Sequence, residues 1–168
     1  MKTTTAAAVL ACTIAAGCGS DDAGSPHPTG DAATDGVASP AAVLKTIPEL
    51  SRFADAYAAA EATGALATSG PVTILAPIND AVAAGWPAEG ADSDRAVSCH
   101  VLAEWLPADA LVGSSPRLAK TLAETQISIV LSDGVIVFTN GTTRVSMVGA
   151  DFDASGDVIH IVDGTLPC

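Results

Sequence analysis

Few side chains in this 168-residue protein could bind a metal, move a proton or attack a carbonyl: three histidines, four cysteines and nineteen Asp and Glu. Their spacing offers two metal readings. Asp151, Asp153, Ser155 and Gly156 match the first half of a calcium loop, but Val162 stands at the twelfth position, where a bidentate acid should close it. A hairpin turn with exposed acids accounts better for that run. Cys99, His100, Met147 and His160 are the residue types of a copper electron-transfer site, which gathers Cys, His and Met on one loop. Here Cys99 and His100 are neighbours within Val97–Leu102, which reads as a strand, so their side chains should point to opposite faces. His27 stands between prolines with no partner residue near it. Hydrolase signatures are absent, with no Gly-x-Ser-x-Gly and no His-Glu-x-x-His. No metal, no cofactor and no enzymatic activity are expected.

Bulk chemistry narrows the partners. Seven Lys and Arg against nineteen acids leave a net charge of −12. That balance argues against nucleic acid, which needs a basic patch, and against electrostatic docking on anionic lipid. Apolar residues make up 49% of the chain and charged residues 15%, the balance of a folded domain. The length suits one domain with a core, plus a tail.

Residues 1–17, MKTTTAAAVLACTIAAG, carry one cation, Lys2, and an apolar run too short to span a bilayer. Ala15-Ala16-Gly17-Cys18 resembles the lipobox of bacterial lipoproteins, with Ala15 where Leu is usual. The resemblance implies cleavage before Cys18 and a lipid on its thiol. An ordinary secretory signal is the alternative, and on either reading the chain leaves the cytoplasm for the cell envelope or outer surface. Residues 18–40 are rich in Gly, Ser, Pro and Asp without apolar periodicity, the composition of a flexible acidic tether. With Cys12 in the discarded segment and Cys18 lipidated, Cys99 and Cys168 remain. A disulfide between them is expected in an oxidising compartment, two separate buried thiols being the alternative.

The remaining residues, 41–168, must build the domain. Apolar residues from Ala42 to Leu66 recur at three and four positions, a helical pattern stopped by Gly64 and Thr68-Ser69-Gly70-Pro71. Val72–Leu75 reads as a buried strand that Pro77 ends. Asn79-Asp80 suits the cap of a helix at Ala81–Ala84. Gly85–Asp94 reads as loop, and Trp105–Gly113 as a turn or short helix. Ile127–Leu131, Val135–Thr139, Thr143–Val148 and Val158–Val162 read as strands. Ser132-Asp133-Gly134, Asn140-Gly141 and Asp153–Asp157 are the turns between them. The Asn140-Gly141-Thr142 sequon is explained by its hairpin turn. A helical half followed by hairpins predicts an α+β fold, with N-terminal helices packed on an antiparallel sheet. A histidine on an apolar strand needs a hydrogen-bond partner, so structural anchoring is the favoured role of His160 and His100.

Two blocks carry a family resemblance. Gly70-Pro71-Val72-Thr73-Ile74-Leu75-Ala76-Pro77-Ile78-Asn79-Asp80-Ala81-Val82 is similar to the signature of fasciclin-type domains, typically Gly-Pro-Phe-Thr-Val-Phe-Ala-Pro-Thr-Asn-Asp-Ala-Phe. Asp151–Pro167, centred on Val158-Ile159-His160-Ile161-Val162-Asp163, resembles the family's Gly-Val-Ile-His-Val-Ile-Asp close. His100-Val101-Leu102 is similar to its Tyr-His-Val segment, with Cys99 in place of Tyr. The resemblance implies a fasciclin-like wedge and a non-enzymatic adhesion or binding module facing a surface protein or polysaccharide. It makes Asn79, Asp80 and His160 structural. Receptor contact in animal members carries over to His100 and to Asp151-Phe152. An envelope protein binding a small molecule or metal is the alternative.

Overall fold

The computed structural model describes residues 38–88, 90–113 and 116–168. The expected signal segment, Cys18, His27 and most of the expected tether lie outside the described residues.

The helical half opens with α1 (Pro40–Thr46), capped by the Ser39 hydroxyl, which accepts from the Ala42 N–H at 3.3 Å. The expected single helical run is broken here. Pro48 forces Ile47 into extended backbone, and a 3-10 turn at Pro48–Leu50 leads into α2 (Ser51–Thr63). Gly64 ends α2 in the left-handed conformation at φ +79°, where any other residue would be strained.

Next come β1 (Thr73–Pro77), α3 (Asn79–Gly85), α4 (Ala91–Cys99) and the two-residue β2 (Val101–Leu102). The reading of Gly85–Asp94 as loop and Val97–Leu102 as strand is therefore corrected. Ser93, Val97 and His100 are all buried at helical spacing. A short apolar run by itself does not separate strand from helix. The argument that Cys99 and His100 face opposite ways falls with it, because Cys99 ends α4 and His100 is its C-cap.

The second half contains α5 (Ala108–Gly113), β3 (Arg117–Lys120), β4 (Gln126–Ser132), β5 (Val135–Asn140), β6 (Thr143–Ala154) and β7 (Asp157–Val162). All seven strands join in the order β2-β1-β7-β6-β5-β4-β3. The α+β class holds, but the sheet is mixed, because β1 pairs with β7 in parallel. Strand β3 was not expected from the sequence; it pairs with β4 at the sheet edge.

Pro77 ends β1 as expected, and as its last residue it still pairs with Val162. The Leu75 N–H points to the β2 side, bonding His100 O, whereas the Ile78 N–H points to Val162 O. Pro77 therefore lacks its donor on the β2 side, beyond the two residues that β2 pairs, and no ladder bond is lost.

Strand β6 is twice the expected length. Register shifts at Met147/Gly149 and Gly149/Phe152 bend it, so its first part pairs with β5 and its second with β7. Gly149 fits the bend because a Cβ there would meet Ile161 atoms at 3.1–3.2 Å.

Two cores result. Leu44, Leu50, Phe53, Ile74, Ala76 and Ile159 pack the helices on one face of β1 and β7. Leu75 and Val162 face the other way, into a core with Leu106, Leu111, Ile129, Phe138 and Val145. Every residue of β1 is buried, as a strand covered on both faces requires.

Candidate functional site

Both histidines of the domain are buried without exposed surface, and each ring uses both nitrogens. At His100, Nε2 accepts the Leu166 N–H at 3.0 Å, so the proton sits on Nδ1, which donates to Ala96 O at 2.8 Å. At His160 the tautomer is reversed. Nδ1 accepts the Asp151 N–H at 3.3 Å, and Nε2 donates to Leu106 O at 2.7 Å. Burial holds the His100 ring far below the usual imidazole range, at about 4, against the opposing pull of the Ala96 carbonyl. Burial also lowers His160, against the Leu106 carbonyl and the Asp151 charge. Both rings are neutral pins, and neither has a lone pair left for a metal. The receptor-contact role that the resemblance carries to His100 meets no exposed surface there.

Asp151 and Phe152 sit at the bend of β6. Asp151 has a φ of +57°, and its carboxylate accepts the Ala108 N–H at 2.9 Å, capping the first turn of α5. Its own N–H is the His160 partner, so one residue ties β6, β7 and α5 together. Phe152 beside it is 37% exposed. The Asp153 carboxylate accepts the Gly156 N–H at 3.4 Å within the β6–β7 turn. The half calcium loop is thus a hairpin turn, as its composition suggested. Among the described residues no three His, Cys, Asp or Glu gather as a metal set.

Asn79 acts on a helix other than its own. Its Oδ1 accepts the Arg52 N–H of α2 at 3.0 Å, and its Nδ2 donates to Pro48 O at 2.9 Å. The expected cap of α3 is therefore a cap of α2, delivered from 27 residues away. Asp80 is exposed in the first turn of α3, where its charge complements the helix dipole.

Cys99 and Cys168 are joined by a disulfide, with Cα atoms 5.7 Å apart. It fixes the C-terminal segment across the end of α4. Leu166 bonds His100 from that segment, and Pro167 O accepts from the Asn140 side-chain amide. Between α4 and this segment lies a cleft of about 640 Å³ bordered by Trp86, Asp92, Arg95, Thr143 and Thr165. Large apolar residues exposed elsewhere include Trp105 at 54% and Leu118 at 64%.

Sequence reasoning missed three anchors. The buried Thr73 hydroxyl donates to Glu104 O and accepts the Leu106 N–H, both at 2.8 Å. Asp157 accepts the Val72 N–H at 2.8 Å, and Asp163 the Ser146 N–H at 2.7 Å. All three lie inside the two blocks already singled out, so the signal was present in the blocks and not in the residues' spacing. The cleft had no such signal, since its walls come from three separate stretches of chain.

The Fasciclin domain family model matches residues 48–167. Among solved structures, the chain is similar to a FAS1 domain pair from the insect cell adhesion molecule fasciclin I, with 16% identity and a TM-score of 0.62. That match covers 78% of this chain and 51% of the other, so the chain spans about half of the domain pair. No curated protein matched the sequence.

Proposed function

The chain belongs to the fasciclin domain family, and from that premise we propose that it is a non-enzymatic adhesion or binding module of the cell envelope, lipid-anchored at Cys18. The observation that carries the reading is the family match over nearly the whole folded domain. The site chemistry supports it. His100 and His160, the buried titratable groups best suited to acid–base work, are both consumed in backbone hydrogen bonds. Export and anchoring rest on residues 1–18, and the acidic stretch 18–40 would hold the domain away from the membrane. The partner is a surface protein or a polysaccharide. The buried ring nitrogens disfavour a metal cargo, whereas the cleft beside α4 keeps a small ligand in view.

Phe152 is the cleaner probe of the Asp151-Phe152 segment, because Asp151→Ala would also uncap α5. We expect cells displaying the full chain to attach to a matrix or to neighbouring cells, and Phe152→Ala to lower attachment severalfold at unchanged melting temperature. Unchanged attachment for both Phe152→Ala and Asp151→Asn would remove this segment from the contact. Unchanged attachment when the whole chain is deleted would overturn the adhesion reading itself.

A further inference from the structure

We infer that the cleft between α4 and the C-terminal segment is a binding site for a small, neutral, polyhydroxylated ligand of the saccharide class. The inference rests on the binding-module reading and specifies what the module holds. The cleft, about 640 Å³, is within the range of small-molecule sites.

Its polar border is mixed in kind. Arg95 can only donate, Asp92 can only accept, and Thr143 and Thr165 can do both. Among the described residues neither Arg95 nor Asp92 has an ion-pair partner. Hydroxyl groups, which donate and accept, satisfy all four side chains at once. An anionic ligand would meet Asp92 and a chain of net charge −12, and a cationic one would meet Arg95.

The apolar border fits the same ligand. Trp86 is partly buried and offers a flat wall of the kind that packs against the C–H face of a sugar ring. That wall is held in place. Its indole N–H donates to the Ser93 hydroxyl at 3.2 Å, and its ring packs edge-on against Phe53 at 5.7 Å and beside His100 at 5.1 Å. The facing wall is fixed by the Cys99–Cys168 disulfide and by the bonds of Leu166 and Pro167. Two walls set before binding reduce the ordering that a ligand must impose.

The test uses the fluorescence of Trp86. Trp105, the other tryptophan, is exposed and outside the cleft, so Trp105→Phe leaves a single reporter. The exported Trp105→Phe protein is titrated with cellobiose and with N,N′-diacetylchitobiose; glucuronate and glucosamine serve as charged controls. We expect a saturable change with at least one neutral disaccharide and none with the charged sugars. Arg95→Met should weaken binding about tenfold, the loss of one hydrogen bond to a charged donor, and Thr143→Val should weaken it less. Arg52→Met, on the cavity at the other side of Trp86, should leave it unchanged. No saturable change with either disaccharide overturns the inference, as does equal binding by the wild type and by Arg95→Met. If attachment of displaying cells persists while no sugar binds, this inference alone fails. If no sugar binds and deletion of the whole chain also leaves attachment unchanged, the binding-module reading fails with it.

Discussion

A neutral, fully bonded histidine makes a fold sensitive to acid, and this domain has two. His100 titrates at about 4 when folded and near 6.5 when unfolded. Between those values the unfolded chain binds the extra proton, so stability is complete above pH 6.5 and falls as the pH drops toward 4. His160 is lowered in the same direction and adds to the loss. For His100 the full effect is on the order of 3 kcal/mol. Urea denaturation at pH 7 and at pH 4.5 should show the decline, and His100→Phe should flatten its slope. A stability independent of pH across that range would show that the rings do not matter in this way. Thr73 is the second residue-scale test. Thr73→Val keeps the shape but strips partners from Glu104 O and the Leu106 N–H, at a cost of roughly 2–4 kcal/mol, while Thr73→Ser should lose less. Equal denaturation midpoints for Thr73→Val and wild type would contradict this. The importance of His160 was legible because a histidine inside Val158–Val162 demands a partner. The identity of that partner was not, since Leu106 is 54 residues away.

Among the elements, short-range signals were read well and long-range ones were not. The turn dipeptides placed the hairpins because their conformation is local. Asp133-Gly134 and Ser155-Gly156 both take positive φ at both positions, as the twist of a two-residue hairpin asks. At Asn140-Gly141 the register moved by one, because Asn140 pairs with Thr143 and spends its side chain on Pro167. The parallel β1–β7 pair joins segments 85 residues apart, and α4 was hidden by an apolar run that suits strand and helix equally. The capping of α2 by Asn79 belongs to this scale. Asn79→Ala should destabilise the domain by about 1–2 kcal/mol. Asn79→Asp, which keeps the acceptor at the N-terminus of α2 and loses the Pro48 bond, should recover part of that. Thermal melts of the two variants decide it, and equal losses would mean that Oδ1 contributes nothing.

At the scale of the molecule, a covalent link closes the folded domain. The Cys99–Cys168 disulfide spans a sequence separation of 69 residues, and such a loop contributes about 4 kcal/mol in the chain-entropy treatment. Cys168→Ala should lower stability by that order in a denaturant titration, and an unchanged midpoint would contradict it. The pairing suits the export that we propose from residues 1–18, since a thiol pair outside the cytoplasm meets oxidants. The anionic surface, −12 overall, favours solubility and repels anionic polymers at low salt. The α+β class and the family resemblance were legible across the domain because both signature blocks fall on β1 and β7, the strands between the two cores. The cleft was not, because only the folded chain brings Trp86, Thr143 and the disulfide together.

We propose export of a fasciclin domain that is closed by a disulfide and held on a lipid tether. Its most direct test is the intact mass of the membrane-extracted protein, alkylated with and without prior reduction. The expected result is a chain beginning at Cys18 with acyl chains added and no alkylatable thiol until reduction. A chain that retains residues 1–17, carries no acyl group and alkylates at Cys99 and Cys168 without reduction would contradict it.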